Sequence, residues 1–354
     1  MRTSPIRVGV VGAGNNTRQL HIPQLQANDG VEVVAIANRS VASAEAAAKP
    51  FGIDRATDSW QELVDDSSID AICIGTWPYM HAPVTLAALE AGKHVLCEAR
   101  MACDAVEARA MLTAAERHPE RVAQLVPSPF TLAIDDTVRS LLEEGAIGPL
   151  LAVEAAYTDA GFCNAEAPLS WRQDDRFSGL NVLSLGIRYE ALMRWTGPAA
   201  SVAAVTTVSV PLRRDAEGAM REVRVPDHLD IVGRLENGAS LNMRLSAVTG
   251  LSPRNETRLY GATGTLVIQG GATPLLIGRP GDTEFGPVEI PAVPADALPN
   301  GWRVERDFID AIRGIAPVRR TTFADGLRYM EFTEAVHRSA SEHRFIDLPL
   351  AGGG

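Results

Sequence analysis

Gly12-Ala13-Gly14-Asn15-Asn16-Thr17 follows an apolar run at 6–11 and opens a helix-favouring segment. A glycine at a tight turn, and a second where backbone must be approached closely, are what a pyrophosphate requires, with helix amides facing its charge. The third glycine of that fingerprint is Thr17 here, so the match is partial. Context strengthens it: a second apolar run ends just before Asn38, 21 residues after Thr17, where a dinucleotide's ribose is read. That position carries Asn38-Arg39-Ser40 and no carboxylate. Asp or Glu there would accept the ribose 2′-hydroxyl and repel a 2′-phosphate, whereas Asn, Arg and Ser present neutral and cationic donors. The expected cofactor is therefore NADP, with NAD as the alternative. Its expected contacts are Gly12, Gly14, Asn15, Asn16, Thr17, Asn38, Arg39 and Ser40.

A second set of reactive side chains lies at 181–190. Arg188 stays protonated and can clamp a carboxylate or phosphate through its fork of N–H groups. Tyr189 is the better proton donor or acceptor, provided a cation stabilises its phenolate. Glu190 is titratable too, but successive helical residues turn onto different faces. Leu185, Leu192 and Trp195 mark a buried stripe, while Asn181, Ser184 and Arg188 recur three and then four residues apart and share one polar stripe. Such a stripe is either a solvated face or a substrate-facing surface. His228-x-Asp230 reads as a strand entry, and Cys163 as a loop thiol.

Elements that would position these residues are legible in the chain. Apolar runs at 6–11, 31–37, 69–75, 94–97 and 122–126 alternate with helix-favouring stretches at 41–49, 59–64, 83–91 and 104–118. This rhythm predicts an α/β domain, a doubly wound parallel sheet covered on both faces. Glu98 then falls at the end of the fifth strand, at the sheet edge where ligands of such folds bind. Pro127-Ser128-Pro129 punctuates the chain, giving expected domains at 1–128 and 129–354. Beyond it, helices are expected at 134–144, 182–195 and 324–341, with strands at 150–157, 201–210, 229–235, 239–245, 257–260 and 265–268. Asn237-Gly238 is a hairpin turn signal, so the second part reads as α+β with a mainly antiparallel open sheet.

Composition limits the function classes. The 354 residues are 46% hydrophobic and 22% charged, enough for two cored domains. Lys+Arg 33 against Asp+Glu 44 gives a net charge of -11, which disfavours a nucleic-acid partner. No apolar run approaches the roughly 20 residues that cross a bilayer. The first strand begins at Ile6, so no signal peptide is expected. Cys73, Cys97, Cys103 and Cys163 lack CxxC spacing, which argues against a metal site and for reduced thiols in a cytoplasmic protein.

With these residues in place the chain resembles the Gfo/Idh/MocA family (glucose–fructose oxidoreductase, inositol dehydrogenase and rhizopine-catabolism relatives) along nearly its whole length. Gly12-x-Gly14 with His21-x-Pro23 is similar to the family's first loop. The run from Thr76 and Trp77 to His81 resembles its TPxxxH segment, and Gly92-Lys93-His94-Val95-Leu96-Cys97-Glu98 the approach to its Glu-Lys-Pro motif. Trp171-Arg172, the segment 179–195 and Asn237-Gly238-Ala239 resemble its second domain. The resemblance implies that Thr76, Trp77, His81 and Glu98 contact the cofactor. It implies that Arg172, Asn181, Ser184 and Arg188 face a small polyhydroxylated or carboxylated substrate, and that the protein is a homodimer or homotetramer.

The departures bear on chemistry. Glu98-Ala99-Arg100 stands where the family has Glu-Lys-Pro, and Ala99 cannot replace a lysine that contacts substrate hydroxyl and cofactor. Ser184, Arg188 and Ala191 stand where the family's second-domain signature has Asp, His and Asp. The usual proton-transfer set is thus missing as a group, leaving Tyr189, Arg188 and Glu98 as the expected catalytic residues. The leading expectation is an NAD(P)-dependent oxidoreductase of a sugar derivative or sugar acid with a non-standard proton route. Two alternatives stay open: elimination, epimerisation or glycoside cleavage through transient oxidation, and a catalytically silent nucleotide or sugar sensor.

Overall fold

The computed structural model describes residues 4–351 except 160, 162 and 273. The chain forms two compact units, Met1–Pro127 with Arg303–Leu327, and Ser128–Trp302 with Arg328–Gly354. A single cut between 1–128 and 129–354 therefore does not describe the division: residues 303–327 return to the first unit. They are held there by backbone bonding, since Leu125 N–H donates to the Thr321 carbonyl at 3.1 Å and Gln124 Nε2 donates to the Val304 carbonyl at 3.1 Å.

The first unit is built on strands β1 (Ile6–Val11), β2 (Val31–Ala37), β3 (Arg55–Thr57), β4 (Ala71–Ile74), β5 (His94–Cys97) and β6 (Ala123–Leu125), all parallel, in the order β3-β2-β1-β4-β5-β6. β4 and β5 are buried at every residue, which is why they read as unbroken apolar runs. Helices Val41–Ala48 and Ala105–Arg117 start where Ser40 and Asp104 accept the backbone N–H three residues on. Register decides the site. Val11 pairs with Ala37 on one side and Ile74 on the other, and Ile74 pairs with Cys97. The next residues, Gly12, Asn38, Gly75 and Glu98, consequently emerge at one edge, where strand order reverses between β1 and β4.

The second unit carries β7 (Leu150–Thr158), β8 (Ala199–Thr207), β9 (Leu212–Arg214), β10 (Met220–Glu222), β11 (His228–Leu235), β12 (Ser240–Ser246), β13 (Arg254–Gly261), β14 (Gly264–Gln269), β15 (Leu275–Gly278), β16 (Gly286–Pro287) and β17 (Ile346–Asp347). β9 and β10 pair as a small ribbon; the rest form a nine-stranded sheet, β16-β15-β14-β13-β7-β12-β11-β8-β17. Only the β7–β12 pair is parallel. The fold class is thus α/β followed by α+β, as expected. Asn237-Gly238 turns β11 into β12, with Gly238 at φ 89° and Asn237 Oδ1 accepting the Ala239 N–H. β12 alternates exposed and buried residues, so Leu241, Met243 and Leu245 join the core. Helix Leu185–Thr196 packs there, with Tyr189 stacked on Phe332 at 3.6 Å between ring centres. Strands β9, β10, β15, β16 and β17 were not apparent from sequence because two to four residues carry too little alternation.

Candidate functional site

Gly12 has φ +86°, and a Cβ there would lie 2.6 Å from the Thr76 backbone nitrogen, so only glycine fits between the ends of β1 and β4. Gly14 is different. Its Cβ would meet nothing nearer than the Gly75 carbonyl oxygen at 3.5 Å, so the fold itself tolerates a side chain. Space left clear in front of a helix start is what a close-approaching pyrophosphate uses, and the first amides of the helix lack intrahelical acceptors. Thr17, in place of the third glycine, is buried, and its hydroxyl donates to the Gly12 carbonyl at 3.1 Å. Gly75 supplies the missing room: a Cβ on it would fall 2.0 Å from Thr17 Oγ1. The glycine needed for helix–strand contact has moved from helix to strand, and Gly75 at the end of an apolar run is the sequence feature by which it can be found.

The loop borders a cavity of about 450 Å³ whose lining includes Gly12, Gly14, Arg39, Asp58, Trp60 and Trp77. At the ribose position, Asn38 Oδ1 accepts the Ala13 N–H at 2.8 Å and its Nδ2 donates to the Ser43 carbonyl at 3.0 Å. Ser40 Oγ caps its helix by accepting the Ser43 N–H. Both side chains brace the loop, and Asn38 lines the cavity as well. Arg39 retains its donors: it lies over the Trp77 ring, 5.2 Å from its centre, with no hydrogen bond or ion pair to the described residues. Asp58 and Trp60 were missed by motif reading because they follow β3, too short to stand out. The Thr76 hydroxyl is buried without a partner among the described residues and borders the same cavity. The cavity, the clear face of Gly14 and this orphaned hydroxyl fit a dinucleotide.

Beside the loop, Glu98 Oε1 accepts from the Asn16 side chain and from His21 Nε2, the latter at 2.9 Å, while Oε2 accepts the Ala99 N–H at 3.0 Å. His21 Nδ1 donates to Glu305 Oε1 at 2.5 Å. A ring that donates at both nitrogens is an imidazolium. Burial alone would favour neutral His21, but the Cys73 sulfur and the Glu305 and Glu98 carboxylates outweigh it and raise its pKa well above 6.5. Burial likewise opposes ionised Glu98, and the bonds from His21 and Asn16 overcome it, lowering its pKa. The wide helical turn Thr17–His21 carries this histidine inward. His81 is fully buried, its nitrogens 2.9 Å from the Arg100 carbonyl and 3.0 Å from that of Thr76. Its side chain ties two loops together through these carbonyls.

In the second unit the expected set separates. Tyr189 is 1% exposed, stacked on Phe332, and its hydroxyl accepts the Ala199 N–H at 2.7 Å. Burial pushes its pKa up. It is a core residue whose hydroxyl is committed to the Ala199 backbone. Glu190 is buried, paired with Arg194 at 3.1 Å and accepting the Ser128 N–H. Asn181, also buried, donates to the Ser178 carbonyl at 2.7 Å and closes the turn before the helix, so it is not an open substrate donor. Arg172 is exposed, 4.3 Å over the ring of its neighbour Trp171. Ser184 and Arg188 remain together one turn apart, both half-buried. Phe130 and Tyr157 flank Arg188, a grouping that residues from three separate segments gave no local signal of.

Known proteins share this fold. The model of the Gfo/Idh/MocA oxidoreductase family, NAD-binding Rossmann fold, matches residues 6–125, and that of the family's C-terminal domain matches 136–267. Levoglucosan dehydrogenase of Pseudarthrobacter phenanthrenivorans is 26% identical over 90% of this chain and 89% of its own. A dTDP-3,4-didehydro-2,6-dideoxy-alpha-D-glucose 3-reductase of Streptomyces antibioticus is 29% identical over 95% of this chain and 97% of its own. The structure of levoglucosan dehydrogenase in complex with NADH and L-sorbose has a TM-score of 0.86 at 24% identity, covering 97% of this chain and 99% of that one. With both family domains matched in order, the chain belongs to the Gfo/Idh/MocA oxidoreductase family, whose N-terminal domain is an NAD-binding Rossmann fold.

Proposed function

We propose that the protein is an NADP-linked oxidoreductase of a small polyhydroxylated or carboxylated compound, a sugar derivative or sugar acid. The observation that carries this reading is the cavity in front of Gly14, bordered by an uncommitted Arg39 with no acid at positions 38–40. The bound cofactor would supply hydride transfer at its nicotinamide. The chain's own part is to seat the pyrophosphate on the amides after Gly14 and to offer Arg39 to a 2′-phosphate. Glu98, fixed by His21 and Asn16, presents a constant negative charge beside the loop. Purified protein mixed with NADPH or NADH and a panel of oxidised sugars and sugar acids tests this. Oxidation faster with NADPH is expected; absence of change with both cofactors overturns it.

One observation favours a cofactor-retaining reaction without net redox. Ala99, Ser184, Arg188 and Ala191 replace the family's lysine, aspartates and histidine, Tyr189 is in the core and Glu190 is paired with Arg194, so proton transfer must take an altered route. Cofactor that survives purification, with turnover in buffer lacking it, would select this second reading.

A homodimer or homotetramer is also inferred. Support comes from Val205 and Val232, 67% and 48% exposed on neighbouring strands of the sheet face opposite the core. A cytoplasmic location is inferred from four cysteines that are all free. No helix among the described residues is long and apolar enough to cross a membrane.

A further inference from the structure

Arg188 is a cation whose counter-charge is not supplied by the described residues. Its guanidinium carbon lies 3.5 Å from the Phe130 ring centre and 4.2 Å from that of Tyr157. It makes no ion pair or hydrogen bond to the described residues, and its Nε is buried without a partner. The carboxylates of Glu190, on the same helix, and Asp135, at the start of the helix Asp135–Glu143, both pair with Arg194, at 3.1 and 3.0 Å. Burial lowers the Arg188 pKa, opposed only by the Tyr157 hydroxyl. That hydroxyl is itself bonded to Thr257, which fixes the ring in place.

A half-buried cation without an anion costs free energy until one arrives. Aromatic rings on the guanidinium face leave its edge as the donor surface, and that edge presents two parallel N–H groups. Two coplanar oxygens of a carboxylate match this fork; a neutral hydroxyl accepts one bond and brings no charge. Phe130 is 46% exposed, so the stack is not sealed from solvent.

We infer that Arg188, braced by Phe130 and Tyr157, binds the carboxylate of the substrate, which makes the substrate a sugar-type hydroxy acid and not a neutral sugar. The word substrate rests on the oxidoreductase reading above; the anion site does not. Calorimetric titration of the full chain with D-gluconate, D-glucose and D-glucose 6-phosphate separates them, using wild type, Arg188→Met and Arg188→Lys. Thermal unfolding of each variant is recorded alongside. Gluconate is expected to bind wild type and to lose roughly tenfold or more in affinity in Arg188→Met. Recovery in Arg188→Lys is expected to be partial, because a lysine lacks the fork. Gluconate affinity unchanged in Arg188→Met, no gluconate binding by wild type, or tighter binding of glucose 6-phosphate would each overturn the inference. Should Arg188→Met not fold, wild-type gluconate affinity in Arg188→Lys is the overturning result. Gluconate bound through Arg188 with no turnover of either cofactor would uphold the anion site and sink the enzyme reading alone.

Discussion

His21 lies 2.5 Å from Glu305 across 284 positions of sequence, and its other nitrogen is 2.9 Å from Glu98. One buried imidazolium thereby joins the glycine loop, the end of β5 and the returning helix Val304–Ile312 within the first unit. Removing one partner of such a buried group leaves charge uncompensated. Glu305→Gln is expected to lower unfolding free energy by about 3 kcal/mol, read from urea denaturation.

The same group sets a pH dependence. The His21 pKa is raised in the folded state, so its contribution is complete below the unfolded value near 6.5 and is lost as pH rises through the raised value. Glu98 is lowered, so its contribution holds above its ordinary 4.5 and disappears as pH falls through the lowered value. The stability gap between wild type and Glu305→Gln should therefore be larger at about pH 6 than at about pH 9. A gap that widens toward alkaline pH would contradict the imidazolium assignment.

The two loop glycines should respond differently to one added methyl. Gly12→Ala forces a side chain at φ +86° into the Thr76 backbone and should reduce thermal stability sharply. Gly14→Ala meets no protein atom closer than 3.5 Å and should leave unfolding within about 0.5 kcal/mol of wild type while weakening cofactor binding. Equal cofactor affinity in Gly14→Ala would place the pyrophosphate elsewhere.

Coenzyme choice should turn on Arg39 and Asp58, which border one cavity with opposite charges. Arg39→Ala is expected to weaken NADPH roughly tenfold with little effect on NADH, and Asp58→Asn to improve NADPH relative to NADH. Fluorescence titration with both nucleotides reads this ratio directly.

Tyr189→Phe tests the reassignment of that residue. Its hydroxyl satisfies the buried Ala199 N–H, so losing it should cost about 1–3 kcal/mol of stability. Turnover of the folded variant should stay within about threefold of wild type, whereas a proton-transfer group would lose 10²-fold or more.

What the sequence alone determined follows from short-range physics. Parallel strands buried on both faces must be apolar throughout, so Ile72, Cys73 and Ile74 declared β4, and Gly12 and Asn237-Gly238 marked turns through the conformations they favour. Those signals need only neighbours a few residues away. Which donors and acceptors stay uncommitted was settled by tertiary structure. Asn38 looked like a ribose reader until the sheet register brought Ala13 to it, and Tyr189 looked reactive until helix packing set it on Phe332. His21 found Glu305, and Arg188 found Phe130 and Tyr157, because strands and helices remote in the chain were packed side by side. A side chain's chemistry is fixed by its type, but its availability depends on the groups that folding places within hydrogen-bond reach, and local sequence does not encode those.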